Sequence, residues 1–231
     1  MRLTAKPLLA KTLLRYTFKS YLVNVLIRGF LWKTSWPGFK LAPHWKAAFD
    51  VASVFSHAVA ALGIGAFIYR PGTPKRVWVV GAACSVIPDL DVIGFRFGIH
   101  YGDFWAHRGF THSLLFAALL ASAVMLAAFR HESPGLDRLR IWICLFVATV
   151  SHGLLDAMTD GGLGVAFFSP FDNHRYFLPF RPIHVSPIGA GRFFTHRGLE
   201  VLQSELLWIW LPAALLALPV WLMRRRAAPS T

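Results

Sequence analysis

Long apolar runs restrict the fold of this sequence more than any other feature. Four of them reach or approach the length needed to cross a bilayer, at residues 51–69, 77–95, 110–129 and 206–223. A fifth, residues 141–160, is apolar in its first half and ends in "SHGLLDAMTD". The alternative is a soluble helical protein with unusually apolar core helices, but so many runs leave little polar surface for one. We therefore predict an all-α, polytopic membrane bundle of about four to five transmembrane helices.

Composition and charge agree with a membrane protein. Apolar residues make up 55% of the chain and charged residues 15%, whereas soluble domains average about 45–50% and 25%. The formal net charge is +13, and most of the bases lie between or beside the apolar runs. This placement predicts contact with anionic phospholipid headgroups rather than with nucleic acid. Cys84 and Cys144 lie inside apolar runs without CxxC spacing, so we expect them to be packing residues.

The N-terminal region has a different pattern from the rest of the chain. Basic residues interrupt its apolar positions, which excludes the apolar core of a signal peptide. Residues 12–32 are instead typical of an amphipathic helix at a membrane surface. We divide the chain into a basic N-terminal segment at 1–48, a helical membrane domain at 49–223 and a basic disordered tail at 224–231.

Polar residues occur at corresponding ends of successive apolar runs. In chain order they lie near the start of the run 51–69, the end of 77–95, the start of 110–129 and the end of 141–160. These residues are His57, then Asp89 and Asp91, then His112, then His152 and Asp156. If the runs cross the membrane in turn, all of these residues lie at one membrane edge. Of eleven acidic residues and ten histidines, only Glu132, Asp137 and His131 fall at the other edge. Ionisable groups in a bilayer are costly unless paired, hydrated or bound, so the segregation predicts a site.

The segment "SHGLLDAMTDGG" is the most specific part of this site. His152 and Asp156 are four residues apart, so on a helix they share a face, and Asp160 follows one turn later. Imidazole and carboxylate groups are ordinary zinc ligands. The alternative is a His–Asp hydrogen bond that only orients the end of a helix.

The segment "SVIPDLDVIGF" carries a second pair of carboxylates. Pro88 disfavours helical geometry at the residue before it, so we expect the helix to break here. Asp89 and Asp91 can then turn toward one centre. A polar turn leaving the membrane is the alternative reading.

The segment "HRGFTHS" adds His107, Arg108 and His112 at a predicted junction between a loop and a helix. The guanidinium of Arg108 suits a phosphate or carboxylate partner, or else extends to the membrane interface. His57, on a small and apolar helix, is either a metal ligand or a core histidine. In the long loop after residue 160, Arg175 and Arg181 either bind a substrate phosphate or anchor the loop among lipid headgroups.

These motifs, "PDLD", "HRGFTHS" and "HGLLD" in that order, resemble the YdjM-like family of inner-membrane metal-dependent hydrolases over residues 51 to 172. The resemblance implies a multi-pass protein of the bacterial inner (cytoplasmic) membrane and a hydrolase that needs a divalent metal. A more distant likeness to zinc-dependent phospholipase C implies a multinuclear zinc site. That likeness makes Asp160, His174 and Glu205 candidates for further ligands.

The resulting prediction is a membrane-bound, metal-dependent hydrolase that cleaves a phosphoester in a lipid or lipid-linked substrate. It uses one or two divalent ions, with zinc favoured. The predicted metal ligands are His57, Asp89, Asp91, His107, His112, His152 and Asp156. Asp91 or Asp160 accepts the proton of the attacking water, Arg108 stabilises developing charge, and Arg108, Arg175 and Arg181 bind the substrate.

Two other classes of protein remain open at this point. One is a metal-ion or proton-coupled transporter, whose polar residues are expected near the bilayer midplane. The other is a membrane scaffold in which the motif residues only form hydrogen bonds. The orientation in the membrane is also open, because nine bases lie beside the far edge and nine more lie in the N-terminal segment.

Overall fold

The computed structural model of the protein describes residues 53–68, 70, 73–132, 135–185 and 196–226. Within these ranges the α-helices are α1 (Val54–Ile68), α2 (Arg76–Cys84), α3 (Leu114–Ala128), α4 (Leu136–Ala157), α5 (His196–Glu205) and α6 (Leu211–Arg226). Short 3-10 helices cover Ile87–Phe97 and Phe110–His112, and a π-helical turn, Leu206–Trp210, joins α5 to α6. Isolated bridges pair Thr159 with Ile183 and Val165 with Tyr176, and these ranges contain no strand. The predicted all-α class is confirmed.

Three helical segments are long and apolar enough to cross a membrane: Arg76–Phe97, Leu136–Ala157 and Gly198–Arg224. Helices α1 and α3 are apolar but shorter, and together the five segments confirm the predicted polytopic bundle. Two of them begin earlier than predicted. Helix α4 starts at Leu136 and not at 141, and the last helical segment starts at His196 and not at 206. In both cases polar turns extend the helix beyond its apolar run.

The chain leaves its α-helices where the sequence predicts a break. Helix α2 ends at Cys84, and the 3-10 helix that follows has Pro88 in its first turn, where the missing N–H of proline costs no hydrogen bond. At α3 the hydroxyl of Ser113 accepts the backbone N–H of Phe116 at 3.1 Å and caps the helix. His112 therefore lies just before α3, in its own short 3-10 turn, and not in the first turn of the helix.

Helix α1 packs against α2, α4 and α6, and α4 also packs against α2 and α3. The main apolar core lies between α2, α3 and α4. Its buried residues are Val77, Cys84, Ala121, Met125, Phe129, Ile141, Cys144 and Leu145. Both cysteines are therefore buried packing residues with free thiols, as the sequence predicts.

The starts of α1 and α3 lie at the same end of the bundle as the last turn of α4 and the 3-10 helix after α2. We call this end, where the motif residues meet, the site end. At the opposite end, the guanidinium of Arg224 donates to the carbonyl oxygens of Ala66 and Phe67 at 2.9 Å each. Residues 1–48, including 12–32, lie outside the described residues. The predicted tail is described only to Arg226, where α6 ends.

Candidate metal centre

Histidine and aspartate side chains from four separate segments converge at the site end. Their carboxylates and imidazoles are nearly excluded from solvent, with Asp89 the most exposed at 10%. The converging residues are His57, Asp89, Asp91, His107, His112, His152 and Asp156. The structure thus brings together all the residues for which the sequence predicts metal ligation.

His152 and Asp156 occupy successive turns of α4, and their Nε2 and Oδ2 atoms lie 3.6 Å apart. The Nδ1–H of His152 donates to the carbonyl oxygen of Ser85 at 2.6 Å. This bond fixes the orientation of the ring and leaves Nε2 directed at Asp89, whose Oδ1 lies 3.2 Å away. A histidine held through one ring nitrogen presents the other to a ligand.

Asp91 holds two histidines at once. Its Oδ1 accepts the Nδ1–H of His107 at 2.9 Å, and its Oδ2 lies 3.2 Å from Nδ1 of His112. The hydroxyl of Thr111 also donates to Oδ2, at 2.5 Å. Both histidines are therefore bound to Asp91 through Nδ1, so that their Nε2 atoms face away from it. Carboxylate–histidine pairs of this kind orient histidines that ligate metals.

Several polar atoms at the centre of the cluster are buried without any hydrogen-bond partner in the described part of the chain. They are Nδ1 and Nε2 of His57, Nε2 of His107, and both carboxylate oxygens of Asp89 and of Asp156. Folded proteins leave few buried polar groups without a hydrogen bond. Asp89 and Asp156 have charged neighbours at 3.2 to 3.5 Å but no hydrogen bond of good geometry, so their oxygens can coordinate a cation.

His112 lies at the most crowded point of the cluster. Its Nε2 is 3.0 Å from Nε2 of His152 and 3.3 Å from Oδ2 of Asp156. The Nδ1 atom of His112 also lies 3.2 Å from Oδ2 of Asp91, so this ring is placed between two carboxylates.

The ligand atoms form two overlapping groups, within each of which every atom lies within 4.8 Å of the others. One group contains Asp89, His107, His112 and Asp156, and the other contains His57, Asp89 and His152. Asp89 belongs to both groups, and Asp156 also approaches the second one, with its Oδ1 3.7 Å from Nε2 of His57. The cluster can therefore bind a divalent metal ion, and its mixed nitrogen and oxygen set is one that zinc accepts.

Arg108 is completely buried beside this cluster. Its guanidinium donates to the carbonyl oxygen of Gly161 at 2.8 Å and to the hydroxyl of Thr159 at 3.0 Å, while Nε lies 3.5 Å from Oδ2 of Asp156. The backbone of Arg108 has a φ of +63°, a strained value for a non-glycine residue that is typical of functional loops. A Cβ at Gly162 would collide with the guanidinium. Arg108 thus supplies a positive charge to Asp156 from within the protein.

The other arginines predicted to bind substrate lie outside the two groups. Arg175 is half-buried and donates to the carbonyl oxygens of His107 and Asp103 at 3.0 and 3.2 Å, so it braces the loop that carries His107. Arg181 is exposed, and its guanidinium lies 4.7 Å from the ring centroid of Phe177.

The further candidates from the long loop and α5 also lie elsewhere. Asp160 is beyond the end of α4, so it does not continue the stripe of His152 and Asp156 as predicted. It instead pairs with His184 at 2.7 Å. Neither Glu205 nor His174 belongs to a candidate metal group of the described residues.

Several hydrogen bonds that orient the site residues cannot be predicted from the sequence. The carbonyl oxygen of Ser85 orients His152, and backbone acceptors carry no signal in the residue type. Thr159 accepts from Arg108 only because the chain turns directly after α4. Thr111 stands inside "HRGFTHS", between the two histidines, and its hydroxyl in that position was the one available signal.

The fold and the site define a class: a multi-pass helical membrane protein with a buried His/Asp cluster that can bind metal at one end. Residues 52–228 match the family model described as "YdjM inner membrane protein", and the chain belongs to that family. The chain is also 39% identical over 173 residues to the inner membrane protein YbcI of Escherichia coli, which covers 75% of this chain and 99% of that protein.

A second similar protein is the "Probable inactive lipase MT1628" of Mycobacterium tuberculosis. It is 32% identical over 111 residues, covering 47% of this chain and 24% of the mycobacterial protein. No solved structure matches the chain.

Proposed function

We propose that this protein is a metal-dependent hydrolase that cleaves a phosphoester in a lipid or lipid-linked substrate at the membrane edge. The observation that carries the proposal is the set of buried, unpartnered ring nitrogens and carboxylate oxygens at the centre of the cluster. Intramembrane ionisable groups are costly and persist where they serve a function. Cations bound in the two groups would coordinate the carboxylate oxygens of Asp89 and Asp156 and one nitrogen of each histidine ring.

The residues present fit such a cation. His107, His112 and His152 are held through Nδ1, and the carboxylates of Asp89 and Asp156 supply negative charge. Because Asp89 belongs to both groups, we propose two ions that share it, with zinc as the metal favoured by the ligand set. When bound, such ions polarise a phosphoryl oxygen and lower the pKa of bound water to about 7.

The surrounding residues have separate roles in this proposal. Asp91 orients His107 and His112 by binding both rings through their Nδ1 atoms. Arg108 balances the charge of Asp156. Arg181 is exposed and supplies the guanidinium for the substrate phosphate, while Arg175 holds the loop of His107 in place.

Exposed aromatic side chains at the site end support a lipid substrate. Phe97 is 80% exposed, Trp105 is 58% exposed and Phe171 is 86% exposed, and all three lie in segments that surround the cluster. Tryptophan is typical of the headgroup level of a bilayer, and exposed phenylalanines are typical of segments that insert an apolar face into its surface. The name of the mycobacterial relative, which includes the word lipase, points to the same substrate class, although it calls that protein inactive.

Metal content and turnover test this proposal directly. The protein purified in detergent should contain stoichiometric divalent metal and should hydrolyse a member of a panel of phospholipids and soluble phosphoesters. His152→Ala and Asp156→Ala should lose both metal and turnover, whereas His174→Ala, which alters an exposed histidine, should keep both. Absence of bound metal from the wild-type protein would refute the proposal. Metal flux into proteoliposomes without hydrolysis would instead indicate a transporter.

A further inference from the structure

Glu205, the last residue of α5, is a fully buried carboxylate that neither metal group uses. Its Oε1 accepts the backbone N–H of Ser53 at 2.5 Å. Its Oε2 accepts the hydroxyls of Ser53 and Ser56 at 2.6 and 2.8 Å. Both oxygens are therefore directed at the first turn of α1, from a residue about 150 positions further along the chain.

Trp210 reaches the same turn of α1 from the same segment. Its indole N–H donates to the hydroxyl of Ser56 at 2.8 Å. In an α-helix, residues five apart point about 140° away from each other. The π-helical turn Leu206–Trp210 changes this, because a π-helix is wound more widely and forms i→i+5 hydrogen bonds, so residues five apart lie on the same side of it. The π-helical turn thus allows Trp210 and Glu205 to contact the same residue of α1, Ser56.

The turn held in this way carries His57. The backbone N–H groups of Ser56 and His57 donate to the carbonyl oxygen of Ser53 at 2.9 and 3.3 Å. The position of Ser53 therefore determines the position of the His57 backbone. A carboxylate at the N-terminus of a helix also stabilises the helix through its unpaired N–H groups and its dipole. The hydroxyl of Ser85 also donates to the carbonyl oxygen of His57 at 3.2 Å. The position of the His57 imidazole therefore follows from its backbone, since both ring nitrogens lack a hydrogen-bond partner among the described residues.

The His57 ring has little freedom to move without changing the metal centre. It stacks on His152 with ring centroids 3.8 Å apart and an angle of 22° between the planes. Its Nε2 lies 3.7 Å from Oδ1 of Asp156. A shift of the first turn of α1 would therefore move His57 relative to both neighbours.

We propose that Glu205 is a positioning residue for the second metal group, acting through Ser53 and Ser56 on His57. This inference rests on the proposed function, because it requires that the group of His57, Asp89 and His152 binds an ion. The first group does not contain His57, so it should not depend on Glu205. Comparing ion binding at the two groups therefore distinguishes a positioning role of Glu205, which affects the second group alone, from a general role in folding, which affects both.

Equilibrium binding of Zn²⁺ to the full chain in detergent tests the inference. The variants are Glu205→Leu, which has a similar volume and no acceptor, and Glu205→Gln, which keeps one acceptor. Glu200→Gln is the matched control, because it makes the same change at a half-buried position of the same helix, where Glu200 pairs with His196 one turn earlier. Wild-type protein and the control should bind two ions per chain. Glu205→Leu should bind the first ion normally and the second about tenfold more weakly, with Glu205→Gln between them.

A second variant guards against a general loss of folding. Trp210→Phe keeps the aromatic ring but removes the N–H that reaches Ser56, and it should weaken the same ion to a smaller extent. The visible spectrum of the Co²⁺-loaded protein should change at one of its two sites only. Equal loss of both ions together with a lower melting temperature would assign Glu205 a merely structural role and overturn the inference. Unchanged binding of both ions would also overturn it.

The wild-type measurement separates this inference from the proposed function. A stoichiometry of one ion per chain would overturn the role of Glu205 while the hydrolase proposal stands. A stoichiometry of zero would refute both.

Discussion

Asp91 and His107 are joined by a hydrogen bond of 2.9 Å between Oδ1 and Nδ1, and the other oxygen of the same carboxylate faces Nδ1 of His112. One carboxylate thus sets the orientation of two imidazoles that approach from either side of a tight loop. Neither of the two candidate metal groups includes Asp91. The geometry favours an indirect role in metal binding, in which Asp91 fixes the histidines and raises the basicity of their free nitrogens.

Asp91→Asn should therefore weaken metal binding without removing a ligand. An amide oxygen can accept from only one of the two rings, and the amide NH₂ that replaces the other oxygen cannot accept at all. We expect the affinity for Zn²⁺ to fall about 10- to 100-fold, as is common when a partner of a ligating histidine is lost. Competition with a chelator measures this affinity.

Asp103→Asn is the matched control for this experiment. Asp103 is an exposed carboxylate in the same loop, where it accepts the backbone N–H of His100 at 2.8 Å. This variant should keep the wild-type affinity. Equal affinities for the wild-type protein and Asp91→Asn would rule out the orienting role.

Arg108 provides a second prediction, because the shape of its side chain matters as well as its charge. The guanidinium reaches Gly161, Thr159 and Asp156 at once, and a lysine ammonium cannot make the same planar set of contacts. Arg108→Lys should lower the free energy of unfolding by about 2 kcal/mol, since hydrogen bonds to charged groups contribute roughly 1.5–3 kcal/mol each.

Thermal unfolding in detergent, with the site kept free of metal, measures the effect of Arg108→Lys. Arg181→Lys makes the same change at an exposed residue and should leave the melting temperature unchanged. If both variants unfold like the wild-type protein, Arg108 does not stabilise Asp156. A large rise in KM with normal stability would instead show that Arg108 binds substrate.

The sequence predicts the fold class and the gathering of the site residues because both follow from patterns along the chain. Apolar runs give the helices, and alternation of their direction places His57, Asp89, His112 and Asp156 at one end. The separate roles of the individual site residues do not follow from such patterns. Asp89 and Asp91 are indistinguishable in "PDLD", yet the 3-10 helix directs one into the metal groups and the other toward Nδ1 of two histidines.

Contacts between distant segments also cannot be predicted from the sequence. The sequence predicts Asp160 on the helical stripe of α4 because the glycines that can end a helix, Gly161 and Gly162, come after it, yet the helix ends at Ala157. Glu205 is a candidate ligand by sequence, but its partners on α1 depend on the π-helical turn, which the residue types in that stretch do not reveal.

Gly109 gives a third prediction, on the loop between the two histidines of "HRGFTHS". A Cβ at this position would lie against the carbonyl oxygen of Phe104 and 2.7 Å from that of Ala106, both of which are backbone atoms that cannot easily move. Gly109→Ala should shift His107 and His112 apart and weaken metal binding.

Gly81→Ala is the control for Gly109→Ala. Gly81 lies in α2, and a Cβ there would meet nothing within 4 Å, so alanine should be neutral or slightly stabilising. Melting temperature and Zn²⁺ affinity should both fall in Gly109→Ala. Neither quantity should fall in Gly81→Ala. Normal metal binding by Gly109→Ala would show that the loop tolerates a rearrangement that the structure does not indicate.

The charge at the end opposite the metal centre predicts the orientation of the protein in the inner membrane. The described bases at that end are Arg70, Lys75, Arg76, Arg130, Arg138, Arg140 and Arg224, and its two acids are already paired, Glu132 with Arg76 and Asp137 with Arg140. Bases in short loops next to membrane helices are enriched on the cytoplasmic side. We therefore expect the basic end to lie in the cytoplasm and the metal centre to open on the other side.

Cysteine labelling in spheroplasts checks this orientation. The native Cys84 and Cys144 are buried, so the unsubstituted protein should give only background labelling with a membrane-impermeant maleimide. Phe171→Cys, at an exposed position of the site end, should react in intact spheroplasts. Lys75→Cys, at an exposed position of the basic end, should react only after the membrane is permeabilised. The reverse pattern would place the metal centre on the cytoplasmic side, where a soluble intracellular substrate could reach it.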